Sequence, residues 1–228
     1  MYKTTELFDL DHTYEAAAEY LRSFEYPWQA LAGIKNLILE IGKGLPAGEF
    51  YHPLDNSGAE ISDIWIANDA VIFPSAYIGS PAIIGHGTEV RHCAFIRGSA
   101  LVGNNCVVGN SVELKNVILF DNVQTPHYNY VGDSILGYKS HMGAGSITSN
   151  VKSDKKLVVV KDGQTTIETE IKKFGAMLGD YVEVGCNSVL NPGSVIGRHP
   201  NIYPTSCVRG VVPENSIWKV TGEVVAKF

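Results

Sequence analysis

The chain has 228 residues, of which 18% are charged and 45% hydrophobic, with a formal net charge of -6. That length accommodates one large domain with an appendage rather than two full-sized domains, and the apolar share excludes a disordered chain. The negative balance excludes a general nucleic-acid or anionic-membrane binder, so any anionic ligand must meet a local basic cluster.

The N-terminus, MYKTTELFDLDHT, lacks the basic-then-apolar order of a signal peptide, and no run of eighteen apolar residues follows. A cytoplasmic location is therefore expected. Phe8-Asp9-Leu10-Asp11-His12-Thr13 is similar to the DxDxT signature of haloacid-dehalogenase-type phosphatases, but the required apolar strand before it and the βαβ body after it are missing. Helix capping is the preferred reading: Asp11 or Thr13 caps EAAAEYLRSF, and Leu31, Ile34, Leu37, Ile38 and Ile41 form a stripe ending at Gly42. Residues 1–60 are read as an N-terminal helical cap segment that covers the open lower end of the next domain.

From Ile66 every sixth residue is aliphatic: Ile72, Ile78, Ile84, Val90, Ile96, Val102, Val108 and Leu114 follow in step. The register slips, resumes weakly at Leu136 and Met142, and runs again through Leu178, Val184, Leu190, Ile196, Ile202 and Val208. Four residues after each early hit sits a mostly small residue, such as Ala70, Ala76, Ala82 and Ala94. A period of six fits neither an amphipathic helix nor an ordinary meander; it fits a parallel β-solenoid. Each hexapeptide gives a short strand and a corner rich in turn formers, such as Asn68-Asp69 and Asn104-Asn105. Three make one coil, and residues eighteen apart stack at roughly 4.8 Å. The solenoid is expected over 61–213, with a Lys-rich loop inserted at about 151–177 and a terminal strand over 214–228, possible to exchange with a neighbouring subunit. Cys93, Cys106, Cys186 and Cys207 show no metal-ligand spacing and read as small reduced side chains.

The informative segment is where the repeat fails. Leu114 and Leu136 are separated by twenty-two residues, four beyond a multiple of six, and Pro126 to Asp133 lies inside the break. A tolerated loop with a surface histidine is the plain alternative to a functional break. Arg97 and Lys115 each follow an inward aliphatic residue and lie eighteen apart, so they stack on consecutive coils. Two cations at about 5 Å repel by roughly 3 kcal/mol at an effective dielectric near 20. Either they splay into solvent or they hold a phosphate, the functional reading.

These residues carry a resemblance. Glu113-Leu114-Lys115, then His127-Tyr128-Asn129-Tyr130-Val131-Gly132-Asp133, then Gly143-Ala144-Gly145-Ser146-Ile147-Thr148-Ser149-Asn150 resemble the acetyltransferase half of the bacterial bifunctional N-acetylglucosamine-1-phosphate uridyltransferase family. The resemblance covers about residues 62–213 and implies a left-handed parallel β-helix assembled as a homotrimer. It implies that acetyl-CoA, as co-substrate, gives its acetyl group to an amino-sugar 1-phosphate such as glucosamine-1-phosphate, in UDP-amino-sugar and cell-envelope precursor synthesis. His127 is then the general base, a task suited to imidazole, which titrates near neutral pH. Arg97 and Lys115 hold the sugar phosphate, Tyr130 orients the sugar, and Ala144 and Asn150 line the acetyl-CoA site. No metal is implied.

The sequence departs from the family at His141, where the family has Asn beside the sugar, and at Val151, where it has Tyr. Asp180 aligns with a small hydroxyl residue near the cofactor. Residues 1–60 contain no Gly-rich nucleotidyltransferase loop and are too few to fold as that domain. Two rival readings are a zinc enzyme resembling the γ-type carbonic anhydrases, with candidates among His86, His92, His127, His141 and His199, and a non-catalytic trimeric scaffold or sensor.

Overall fold

A large aliphatic residue at every sixth position can be buried only if the chain turns a corner between hits. The computed structural model, which describes residues 1–227, forms that parallel β-solenoid. Three columns fill its interior. Ile66, Ile84, Val102, Leu119, Leu136, Leu178, Ile196 and Val212 pair coil upon coil along the first face. Val90, Val108, Thr125, Met142, Val184 and Ile202 line the second. Ile96, Leu114, Val131, Thr148, Leu190 and Val208 line the third. All are buried.

The corners turn through left-handed residues. Asn105 (φ 54), Asn122 (φ 61) and Lys139 (φ 55) repeat at the first corner, and Ser111 (φ 54) and Tyr128 (φ 53) at the second. Asn tolerates this conformation best among residues with a side chain. A side-chain ladder reinforces the first corner: His86 N donates to Asn104 Oδ1 (2.8 Å), Asn104 N to Asp121 Oδ1 (2.7 Å), and Tyr138 N to Asp180 Oδ1 (2.9 Å).

The expected interruption between Leu114 and Leu136 is not a loop. Leu114, Leu119, Thr125, Val131 and Leu136 occupy successive inward positions, in steps of five, six, six and five residues. Two corners have each lost one residue, and the strands Glu113–Leu119 and Tyr130–Leu136 run continuously around them. The Lys-rich insertion leaves the next coil after Asn150 and contains the antiparallel hairpin Val159–Asp162 and Thr165–Glu168. Phe174 N donates to Asn150 O (3.0 Å), closing it.

The helical part of the N-terminal segment does not cover the open end, whose edge strand Ile64–Ala67 pairs instead with the short antiparallel strand Phe50–Tyr51. It runs along the first face: Arg198 Nε donates to Leu7 O (3.1 Å), Asp121 N to His12 O (3.0 Å), and Asn116 Nδ2 to Leu31 O (3.2 Å). The helix Ile34–Gly44 packs against the strands Ala82–Ile84, Ala100–Val102 and Glu113–Leu119. The cause is composition. Along the first face the outward residues Trp65, Ile83, Leu101, Ile118, Ile135, Met177 and Val195 are apolar, and each is buried. The second face instead presents Glu89, Gln124, His141, Glu183 and Asn201. Capping also differs from expectation: the helix Glu15–Arg22 starts after Tyr14 with no side-chain cap, while Asp9 accepts from Asp11 N at the preceding turn, Leu10–His12.

At the other end Ser216–Trp218 extends the second face, and Val224–Ala226 folds back on it antiparallel. The last residue of the expected terminal strand, Phe228, lies outside the described residues. Among the described residues no helix is long and apolar enough to cross a membrane.

Coil-on-coil contact leaves no room at Gly109, where an added Cβ would sit 1.7 Å from Pro126 O, a backbone atom that cannot swing aside. Gly109→Ala is expected to cost about 1–3 kcal/mol or more. Gly44→Ala, with nothing within 4 Å, is the control. Thermal unfolding of both variants checks the contrast.

Candidate functional site

The third corner, which joins the third face to the first, collects the charged residues. Arg97 follows Ile96 and Lys115 follows Leu114, and Arg97 N donates to Leu114 O (2.8 Å), so the two sit on adjacent coils as expected. Neither is a bare cation. Arg97 Nη1 donates to Glu113 Oε1 (2.7 Å), and Lys115 Nζ reaches both oxygens of Asp133 (3.2 Å each). Two cations therefore face two carboxylates, and the anticipated repulsion is relieved without a phosphate.

Asp133 is the hub. It is 4% exposed and also accepts from Asn116 Nδ2 (3.0 Å) and Asn150 Nδ2 (2.5 Å). Charge-assisted donors on a buried carboxylate are the strong class of hydrogen bond. Its own carbonyl accepts from Gly175 N (2.8 Å), so both ends of the insertion are tied to this corner. Asn150 Nδ2 also donates to the Tyr130 hydroxyl (3.1 Å). Burial pushes the Tyr130 phenol above its ordinary value, and the Asp133 and Glu113 carboxylates add to the rise, so the hydroxyl keeps its proton. A Cβ at Gly132 would meet Tyr130 Oη at 2.5 Å, so the bare glycine is what lets the hydroxyl sit where it does. The hydrogen bond to Glu113 holds the Arg97 guanidinium above its usual range.

His127 sits at the second corner, at the opposite edge of the same face. It is exposed, and its ring has no hydrogen-bond partner among the described residues. Gly145 N donates to His127 O (3.0 Å), which seats Ala144 on the next coil of that corner. The buried Asn129 locks the two together by donating Nδ2 to Gly143 O (2.8 Å) and Ser146 O (3.1 Å). Asn187 N then donates to Ala144 O (2.8 Å), making the exposed Cys186 the residue above Ala144.

The structure thus gathers Arg97, Lys115, Tyr130 and Asn150 at one corner and His127 and Ala144 at the other. Two sequence candidates fall elsewhere. His141 is on the second face, hydrogen-bonded to Glu183 (Nδ1 to Oε2, 2.9 Å), apart from the corner cluster. Asp180 is 1% exposed at the first corner, where it accepts from Asp9 N (2.7 Å) and Tyr138 N (2.9 Å) and meets Arg198 Nε (3.3 Å). It clamps the N-terminal segment to the solenoid, apart from the corners that hold the other candidates. Sequence reasoning missed Asp133 and Asn116 as cluster members, and Cys186 as the neighbour of Ala144. Counting coils through the insertion would have placed Cys186. The remaining buried thiol, Cys106, is pushed by burial up to about 12 and is core packing. Among the described residues no three His, Cys, Asp or Glu side chains cluster as metal ligands.

A family model described as the GMPPB C-terminal domain matches residues 90–202. A bifunctional sugar-1-phosphate nucleotidylyltransferase/acetyltransferase of Sulfurisphaera tokodaii is 33% identical over 106 residues, 46% of this chain and 26% of that protein. The bifunctional protein GlmU of Methanococcus maripaludis is 33% identical over 115 residues, 50% of this chain and 28% of that protein. The chain thus matches about a quarter of the length of these relatives. A perosamine N-acetyltransferase from Caulobacter crescentus, solved with CoA and GDP-perosamine, gives a TM-score of 0.38 at 16% identity, covering 71% of this chain and 55% of that one. That similarity is too low to bear on function.

Removing the hub strands its donors. Asp133→Ala is expected to destabilise the protein by about 1–3 kcal/mol, because Lys115, Asn116 and Asn150 lose a buried acceptor. Asp133→Asn, which keeps one acceptor oxygen and tolerates the left-handed backbone (φ 48), should cost less. Denaturant titration of the three proteins measures the order.

Proposed function

The solenoid resembles the acetyltransferase half of the bifunctional sugar-1-phosphate enzymes, and from that premise we propose that the chain is an N-acetyltransferase acting on an amino sugar that carries a phosphate. The observation that carries the reading is placement. The residues of the strings HxxYxGD and GAGxIxxN fall on adjacent coils of one face, with His127 at one edge and Arg97, Lys115, Tyr130 and Asn150 at the other.

The finer proposal is an amino-sugar 1-phosphate as acceptor and acetyl-CoA as donor. The amine nitrogen attacks the thioester carbonyl, the carbon–sulfur bond breaks, and CoA leaves as the thiolate, which takes up a proton. His127 accepts the proton shed by the amine. No covalent enzyme intermediate is needed, and holding the two substrates together supplies much of the rate. Arg97 has further N–H groups beyond the one bound to Glu113, and its planar fork suits a phosphate. Because the corner is balanced in charge, phosphate recognition rests on directed hydrogen bonds rather than on a net positive field. Tyr130, kept protonated, offers a hydroxyl donor to the sugar. We propose a homotrimer as the working assembly; the exposed Tyr77 and Phe95, with ring centroids 5.5 Å apart, give the third face an apolar patch suited to a neighbour.

The test is release of free CoA from acetyl-CoA with a panel of amino-sugar 1-phosphates and their nucleotide-linked forms. At least one acceptor is expected to turn over, His127→Ala to lose about a hundredfold or more in kcat, and Arg97→Ala chiefly to raise KM for the phosphorylated acceptor. Full activity in His127→Ala would remove the base assignment. No turnover across the panel, with no CoA binding by calorimetry, would leave the scaffold reading.

A further inference from the structure

A cleft of about 810 Å³ opens between the inserted segment and the last coils of the solenoid. Its floor is the third corner of later coils, at Asn191, Pro192, Arg209 and Gly210, and its wall is the insertion, including Lys152 and Lys161. The wall is fixed in place. Val158 and Val160 are fully buried, and a Cβ at Gly210 (φ 72) would sit 2.6 Å from Lys161 O, so the hairpin lies backbone to backbone on the corner. Asp162, the next residue of the hairpin, is taken up by an ion pair with the Met1 amino group.

The lining is basic in an acidic chain. Lys152, Lys161 and Arg209 face the cleft with one carboxylate, Asp154, which is occupied by Lys152 (Nζ to Oδ2, 3.3 Å). Among the described residues neither Lys161 nor Arg209 has a carboxylate within 4.0 Å. This contrasts with the site corner, where both cations are paired. Ser149 and Ser153 add two hydroxyls with no side-chain partner among the described residues. The volume suits a nucleotide-sized ligand, and two unpaired cations, one on the floor and one on the adjoining wall, suit a group with charge on adjacent oxygens.

We infer that this cleft binds the diphosphate of a nucleotide, held by Arg209 from the solenoid and Lys161 from the hairpin, with the Ser149 and Ser153 hydroxyls as further donors. The cleft adjoins the acyl-transfer corner directly, since Ser149 and Val151 line it while Asn150, between them, bonds to Tyr130 and Asp133. Two molecules offer the same chemistry: the adenosine diphosphate end of a CoA thioester and the nucleotide of a nucleotide-linked sugar. Binding itself does not depend on the acyl-transfer reading; only the kinetic comparison below does.

The test is calorimetry of the full chain with ADP, UDP and CoA, repeated on Arg209→Ala and Lys161→Ala. At least one of the three is expected to bind, and each variant to weaken it about tenfold or more. Lys173→Ala, an exposed lysine of the insertion outside the cleft, should bind as the parent does. If CoA is the source, the two variants raise KM for acetyl-CoA and leave acetyl-pantetheine, which lacks the nucleotide, unaffected. If the sugar is the source, UDP binding falls while CoA binding stands. Absence of binding by all three, or unchanged affinity in both cleft variants, would overturn the inference. Loss of binding in the variants of a chain that transfers no acetyl group would uphold it and discard acyl transfer alone.

Discussion

Every coil must bring the chain back to one strand spacing, roughly 4.8 Å, above the place it left. That closure constrains the rest of the molecule. From the first face to the second, and from the second to the third, the inward positions advance by six residues at every level. All variation in length is confined to the third corner, where Leu114 to Leu119 and Val131 to Leu136 are one residue short, Val208 to Val212 is two short, and Thr148 to Leu178 takes in the whole insertion. A change elsewhere would push a buried column out of register on every later coil. The corner free to vary in length is also the corner that carries Arg97, Lys115, Asp133 and Asn150.

Much of this was legible in the sequence, because a period of six is enforced by burial and leaves its mark at every inward position. What misled was a strict count. Two single-residue deletions look like one interruption when only the sum is seen, and the HxxYxGD segment was taken for a break although it lies in an unbroken coil. The placement of the N-terminal segment had a signal that periodicity at six does not see. Trp65, Ile83, Leu101, Ile118, Ile135 and Met177 make the first-face strands apolar on both sides, which requires a cover along the flank. Asp180 was misread because its role depends on a backbone amide from Asp9, far away in sequence.

The candidate site was legible by residue type but not by charge state. Arg97 and Lys115 stack as counted, yet each meets a carboxylate from the next coil. Pairing changes what the corner can do. A bare pair of cations would draw any anion; a balanced cluster with Asp133 at its centre holds Lys115, Asn116 and Asn150 in one geometry and leaves recognition to the donors that remain free. Such preorganisation favours selectivity over raw attraction.

The insertion ties this cluster to the cleft beside it. Asn150, from which it departs, and Phe174, its last residue before Gly175, are drawn together by Phe174 N on Asn150 O, and Gly175 N binds Asp133 O. Between those ties the hairpin forms one wall of the cleft. The backbone that walls the cleft is thus continuous with the backbone that aims Asn150 and Asp133, and through them Tyr130 and Lys115. The corner cluster and the basic cleft are built on one segment, and the packing that fixes the hairpin also fixes the ends from which the corner side chains project.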